Sequence, residues 1–109
     1  MATGRLGTAN ITTTAASTVY TVPAATFAVV SVNIVNRSNS AAALIRLAVA
    51  SSATPGADEW IEFDSSLVAN GVLERTGIVM DTTKLIVVQT TTATPTLSVV
   101  VYGIETSTA

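Results

Sequence analysis

The sequence lacks the residues with which most enzymes carry out acid–base and nucleophilic chemistry. It contains no histidine and no cysteine, and Lys84 is its only lysine. Histidine is the commonest general base, and both missing residues are the usual ligands of transition metals. A Ser–Lys dyad with Lys84 is the remaining nucleophilic option, and no flanking pattern favours it over a solvated lysine. We therefore predict no enzymatic activity, no catalytic residues, no cofactor and no metal-binding residues.

Charge is also scarce, and the few charges are dispersed. Charged residues make up 11% of the 109 residues, with a formal net charge of −2, whereas about a quarter is typical of soluble domains. The basic residues form no run or stripe, which argues against a nucleic-acid partner. They are Arg5, Arg37, Arg46, Arg75 and Lys84. A surface with so few charges is suited to being covered by neighbouring subunits.

Long apolar runs are missing, although apolar residues make up 49% of the chain. The mean hydropathy is +0.57, but no window approaches the roughly 18 uninterrupted apolar residues of a membrane-spanning helix. The first seven residues also lack the apolar stretch of a secretion signal. These features predict no membrane association and synthesis in a cytoplasm.

What the chain has in excess is threonine and valine, which favour strands over helices. Short β-rich segments alternate with turn residues, a pattern typical of a sandwich or a barrel. We predict an all-β fold, a single antiparallel β-sandwich of seven or eight strands. Jelly-roll and immunoglobulin-like topologies both fit this strand count. The predicted divisions are an extended N-terminal arm at 1–16, the sandwich at 17–105 and a C-terminal tail at 106–109.

Two segments show the clearest alternation of apolar and polar residues, 27–37 and 42–50. A short polar connection between them predicts a hairpin with Arg37 at its tip. The arm at 1–16 contains few large apolar side chains, so we expect it to be disordered in the isolated protein. The expected core residues are Val30, Val32, Ile34, Ile45, Leu47, Val49, Ile61 and Phe63, and Phe27 is also expected to be needed there.

One acidic cluster is the only group of side chains that resembles a ligand site. It comprises Asp58, Glu59, Glu62 and Asp64. Its spacing does not match the calcium-binding loop with its central glycine. We interpret it as a charged edge strand protected from mispairing, with weak calcium binding as the open alternative.

The candidate contact residues follow from exposure and residue type. Alternation along the segment 59–64 places Trp60 away from Ile61 and Phe63, and Arg46 likewise points away from the apolar side of its strand. Tryptophan and arginine lead the residues that dominate binding energy at interfaces. We predict an interface formed by Trp60, Arg37, Arg46, Arg5 and Leu6.

Four segments together resemble the small virion proteins of tailed bacteriophages. The first is Thr18–Ala24, read as Thr-Val-Tyr-Thr-Val-Pro-Ala. The others are the valine-rich Ala28–Arg37, the acidic and aromatic Glu59–Asp64, and the closing Asp81–Val87. The resemblance covers roughly residues 17 to 105. The chain departs from the pattern at Ala25, where the family often has glycine, so a different turn is expected there.

The resemblance implies a structural role and carries over no catalytic residues. Members of this family are capsid decoration (cement) proteins, or tail and fibre accessory proteins. We expect a decoration protein that binds and stabilises the capsid shell, in the virion, as a trimer or dimer and with the major capsid protein as its partner. A tail, neck or fibre component is the alternative within the same class. A carbohydrate-binding or adhesin module is the alternative from another class.

Overall fold

The structure is a computed structural model that describes residues 2–108, and these residues form eight strands and no helix. No helix long and apolar enough to cross a membrane occurs in this part of the chain. The strands are β1 (Thr3–Ile11), β2 (Ser17–Thr21), β3 (Thr26–Asn36), β4 (Ala43–Ala50), β5 (Trp60–Leu67), β6 (Val72–Met80), β7 (Leu85–Thr90) and β8 (Leu97–Ser107).

The strands form two four-stranded antiparallel sheets that pack face to face. Sheet 1 has the order β1-β8-β3-β6, and sheet 2 has the order β2-β7-β4-β5. The first strand pairs with the eighth, the second with the seventh, the third with the sixth and the fourth with the fifth. Such pairing arises when one long antiparallel hairpin is rolled up, so that successive pairs fall in alternate sheets. The β-sandwich is therefore a jelly roll, and the immunoglobulin-like alternative does not apply.

The core lies between the two sheets and is filled by the inward side of each strand. β3 alternates strictly between buried inward positions and less buried outward ones. β3 and β4 are both central strands of their sheets. Most of the predicted core residues are buried or packed against the core: Val30, Val32, Ile34, Ile45 and Leu47 are buried, and Val49 and Ile61 pack against them.

The N-terminal segment differs from its prediction. It is extended as expected, but β1 pairs with β8 from Thr3 to Ile11 as an edge strand of sheet 1. Ile11 is buried in the core, and Gly7 lies so close to β2 that an added Cβ would stand 2.2 Å from the carbonyl oxygen of Val19. The prediction of a disordered arm is therefore wrong for the described residues, because small side chains let β1 close one side of the sandwich. Met1 lies outside the described residues.

The predicted hairpin between 27–37 and 42–50 is also wrong. β3 lies in sheet 1 and pairs with β6 and β8, whereas β4 lies in sheet 2 and pairs with β5 and β7. Their connection crosses between the sheets at one end of the sandwich. The buried Asn36 side chain fixes this crossing, since its amide donates to the carbonyls of Ala41 (2.9 Å) and Leu67 (3.1 Å).

The C-terminal tail is shorter than predicted. β8 continues to Ser107, which pairs with Thr26 of β3. The amide of Thr108 then donates to the carbonyl of Ala25 at 3.0 Å. Of the predicted tail at 106–109, only Ala109 lies outside the described residues.

Candidate interaction surfaces

Three of the four residues of the acidic cluster, Glu59, Glu62 and Asp64, have separate internal partners. The Glu59 carboxylate accepts hydrogen bonds from the amides of Gly56 (2.8 Å) and Ser51 (3.1 Å), which closes the β4–β5 connection. Both hydrogen bonds lower the pKa of Glu59, and the bond from Gly56 has the largest effect. Glu59 thus stabilises a loop, and its oxygens are already used as acceptors.

Glu62 is used in a different place, on the inner side of β5. Its carboxylate accepts hydrogen bonds from the Ser65 hydroxyl and from the Arg75 guanidinium of β6. Both hydrogen bonds lower the pKa of Glu62 below its usual value, and the bond from Ser65 has the larger effect. Because β5 and β6 belong to different sheets, the Arg75–Glu62 ion pair joins the two sheets along the open side of the sandwich.

Asp64 lies on the outer face of sheet 2, where it holds Arg46. The Arg46 Nε donates to Asp64 Oδ1 at 2.7 Å, and a second guanidinium nitrogen donates to Oδ2 at 3.3 Å. This pairing lowers the pKa of Asp64 and raises that of Arg46. The guanidinium carbon lies 4.0 Å from the centroid of the Phe63 ring, a cation–π distance. Arg46 and Trp60 thus share the outward side that the sequence predicted.

Phe63 is a correction, because it was predicted in the core and is 55% exposed. The register between β4 and β5 shifts twice, once between Ile45 and Leu47 and once between Leu47 and Ala48. Asp64 also has a positive φ of 56°. Strict alternation therefore fails along β5, and Phe63 turns outward beside Trp60. We call Arg46, Trp60, Phe63 and Asp64 the Trp60 cluster.

The Trp60 cluster combines aromatic surface with an open depression. The Trp60 and Phe63 rings meet edge to face, with centroids 5.7 Å apart and an interplanar angle of 67°. A depression of about 410 Å³ beside them is lined by Ala57, Trp60 and Phe63. Such a recess fits an aliphatic or aromatic side chain from another protein better than it fits an ion.

Trp60 also covers part of its own sheet. Ala48, Ala50 and Val87 are fully buried on the outer face of sheet 2, and Trp60 and Leu85 pack against them. In a two-layer sandwich this face would otherwise be open to solvent. The indole therefore has two roles, since it shields the alanines beneath it and presents its remaining surface outward.

The outer face of sheet 1 carries an exposed apolar surface that the alternation of apolar and polar residues did not predict. Val29 on β3 stands opposite Val79 on β6 and Ile104 on β8. These side chains are 41%, 71% and 55% exposed, and Phe27 at 37% lies two residues along β3. We call Phe27, Val29, Val79 and Ile104 the apolar row.

A signal for the apolar row was present in the sequence. The inward positions of β3 from Ala28 to Ile34 are apolar, but Phe27, Val29 and Val35 on its other side are apolar as well. A strand that is apolar on both sides is typical of one covered on both faces. Phe27 was predicted in the core, so the outer side of β3 was not recognised as apolar. This prediction is wrong, because Phe27 faces outward and is 37% exposed.

The other predicted contact residues lie apart from the Trp60 cluster. Arg37 is exposed at the start of the β3–β4 connection, and its guanidinium donates to the Asn10 side chain of β1. Arg5 is exposed on β1 opposite Tyr102, while Leu6 packs partly against the core. The structure thus brings together Trp60 and Arg46, and it places Arg5 on the outer face of sheet 1.

The described residues contain no group of three or more acidic side chains arranged to hold a metal ion. Glu59, Glu62 and Asp64 are each held by different partners, so these three carboxylates do not converge on one point. Comparisons with known proteins found no matching family model, curated protein or solved structure.

Proposed function

We propose that this chain is a structural protein of a tailed-phage virion, most specifically a capsid decoration protein. In this role it is made in the host cytoplasm, assembles as a homo-oligomer and binds the major capsid protein, stabilising the shell without chemistry of its own. A jelly roll hosts many unrelated functions, so the fold alone does not select this one. The resemblance across residues 17 to 105 supplies the class of protein.

The observation that carries the proposal is the exposure of large apolar side chains on both outer faces. The Trp60 cluster occupies one face and the apolar row the other. Contiguous exposed apolar surface usually marks an interaction site. The carboxylates of Asp64, Glu62 and Glu59 pair with Arg46, Arg75 and backbone amides respectively, so these three groups serve the fold rather than a substrate. Both features support a protein that acts by contact.

We assign the contact with the capsid shell to the Trp60 cluster. Trp60 is a large rigid side chain beside a depression, and Arg46 is held by two hydrogen bonds to Asp64. Buried aromatic and arginine anchors dominate the energy of protein interfaces. A fixed anchor also loses little side-chain freedom on binding, which favours affinity.

The test is binding to particles assembled without this protein. Trp60→Ala should reduce occupancy on such particles on the order of 30-fold or more, as for an interface hot spot. Val68→Ala is the matched control, because Val68 is 64% exposed and lies outside both surfaces. Occupancy is measured by co-sedimentation below the melting transition of each variant. Wild-type protein that ignores the particles contradicts the decoration role, and binding only to tails supports the tail component instead.

The depression beside Trp60 is also the feature that favours a carbohydrate-binding module. Sugar rings stack on flat aromatic faces, but here the rings meet at 67° and Arg46 covers one face of Phe63. The cluster therefore lacks a coplanar platform, and we rank this function second. Glycan-array binding that is lost in Trp60→Ala, without particle binding by the wild type, would reverse the ranking.

A further inference from the structure

The four edges of the two sheets are interrupted in a consistent way. Each edge strand is paired with one central strand, and each of these four pairings has a register shift. The two pairings between central strands, β3 with β8 and β4 with β7, run without a shift across the described residues. In each shifted pairing the extra residue lies on the edge strand. Such bulges prevent another strand from adding to the edge.

Blocked edges direct self-association to the faces of the sandwich. Among the described residues, eight large hydrophobic side chains are exposed, and five of them lie on the outer face of sheet 1. These five are the four residues of the apolar row and Val72. On this face Tyr102 reaches across β3 to donate a hydrogen bond to Glu74 at 2.5 Å, and the four residues of the apolar row stay at least 37% exposed. On sheet 2, by contrast, Trp60 and Leu85 cover the alanines. The outer face of sheet 1 is therefore the larger unpartnered apolar surface.

We propose that the outer face of sheet 1 binds the same face of a second copy of this chain. The inference rests on the proposed function in expecting a homo-oligomer, and it adds the surface, the symmetry and the stoichiometry. A two-fold axis is the commonest symmetry of soluble oligomers, and it uses one surface twice. Exposed valine and isoleucine rows then pack face to face, as the inner faces of a sandwich do.

The size of the face fits a stable dimer. Four strands spaced by about 4.8 Å and running for about 36 Å give roughly 700 Å² of flat area per subunit. The length corresponds to the 11 residues of β3 and of β8. A standard interface buries about 800 Å² per partner. The whole face of sheet 1 is thus needed, including the residues beyond the apolar row.

The charges on this face fix the orientation of the second copy. Arg5 lies on β1 at one edge of sheet 1, and Glu74 lies on β6 at the opposite edge. Arg5 stands in register with Tyr102 and Ser31, and Glu74 with Asn33, two residues further along β3. A two-fold axis parallel to the strands places β1 of one subunit over β6 of the other. Arg5 then approaches Glu74 of the partner subunit, twice in each dimer, and Val29 faces Ile104 of the partner subunit.

The apolar part of the proposal is tested by one substitution at two exposed valines. Val79 and Val68 are 71% and 64% exposed, so neither Val79→Asp nor Val68→Asp should unfold the protein. Val79→Asp should weaken dimerisation on the order of 100-fold or more, because it buries an unpaired carboxylate in each subunit. Val68→Asp should leave the dimer unchanged. Mass is measured by sedimentation across a concentration series, with thermal melting as the check on folding.

The orientation is tested by exchanging the charges. Arg5→Glu or Glu74→Arg alone should weaken the dimer roughly tenfold, since each places two like-charged pairs together. The double variant should regain wild-type mass. A double variant as weak as the single ones overturns the proposed axis, and a wild type that stays monomeric at high concentration overturns the dimer.

The outcomes separate this inference from the proposed function. A dimer that ignores undecorated particles supports the face and contradicts the decoration role. A wild-type monomer that binds particles, and loses binding in Val79→Asp, shows that the capsid protein covers this face and overturns self-association. Equal loss of dimer in Val68→Asp and Val79→Asp also overturns the assignment of the surface.

Discussion

Both outer faces of the sandwich carry apolar side chains, but the two faces differ in how far those side chains are shielded from solvent. On sheet 2, the small residues Ala48 and Ala50 leave a recess, and Trp60 packs over it. On sheet 1, Val29 and Val79 are of similar size and stand side by side, so neither covers the other. A large side chain beside small ones buries apolar surface within one chain, whereas a row of equal aliphatic side chains does not. The second arrangement leaves a surface for another molecule to cover.

The difference also divides the functions of the two faces. The Trp60 cluster stabilises its own sheet and presents a fixed aromatic anchor, so changes there affect folding and binding together. The apolar row adds little to the stability of one subunit, so changes there affect association alone. Four comparisons of paired variants test this division, in order of decreasing effect.

The largest expected loss of stability comes from a substitution in the core between the two sheets. Ile45 is fully buried, while the preceding Leu44 is 38% exposed on the outer side of the same strand. Ile45→Ala should lower the free energy of unfolding by about 2–5 kcal/mol, since it leaves a cavity. Leu44→Ala should lower it by less than about 1 kcal/mol. Urea denaturation measures both, and equal losses would contradict the assignment of inward and outward sides on β4.

The next comparison sets Trp60→Ala against Val79→Ala. Trp60 covers three buried residues, so its truncation should cost roughly 2–3 kcal/mol of unfolding free energy. Val79 is 71% exposed, and its truncation should change stability by no more than about 0.5 kcal/mol. Because association adds stability with concentration, both are measured at the lowest workable protein concentration. A Val79→Ala variant as unstable as Trp60→Ala would show that the faces do not differ in this way.

The sequence predicted the regular parts of this fold well. Alternation in 27–37 and 42–50 correctly identified the inward residues Val30, Val32, Ile34, Ile45 and Leu47, because central strands pair on both edges and cannot shift register locally. It also placed Trp60 and Arg46 on the outward side. The class of fold and the number of strands followed from the same alternation and the turn residues.

Prediction from the sequence failed at edge strands and at the connection that crosses between the two sheets. Phe63 lies in a bulge of β5, between the paired residues Glu62 and Ser65. No residue pattern in 59–64 indicates this bulge, so the prediction placed Phe63 on the wrong side of the strand. β1 has a bulge at Leu6, which breaks the spacing of its apolar residues and made the segment resemble an arm. The hairpin between β3 and β4 was inferred from adjacency alone, but the strand order of a jelly roll depends on pairings far apart in the chain.

Acid should destabilise the side of the sandwich where Glu62 of β5 pairs with Arg75 of β6. The pKa of Glu62 is lowered in the folded protein, so its contribution to stability is present above the ordinary glutamate value of 4.5 and is lost as pH falls through the lower folded value. Ser65→Ala should weaken this dependence, and Glu62→Gln should remove the contribution of this residue. The measurement is the urea midpoint between pH 3 and 7. An unchanged slope in Glu62→Gln would contradict the role of the Arg75–Glu62 pair.

The smallest effect compares two residues with positive φ, one beside each face. Ala25 has φ 52° next to the apolar row, and Asp64 has φ 56° within the Trp60 cluster. Alanine in this region is strained, whereas aspartate tolerates it better, and Asp64 also holds Arg46 at 2.7 Å. Ala25→Gly should therefore raise the free energy of unfolding by about 0.5 kcal/mol, the relief of strain less the added freedom of the unfolded chain. Asp64→Gly relieves less strain and removes the Arg46 partner, so it should give no gain. Thermal melting of both variants measures the difference, and an equal gain at both positions would show that the Arg46–Asp64 pair does not stabilise its face.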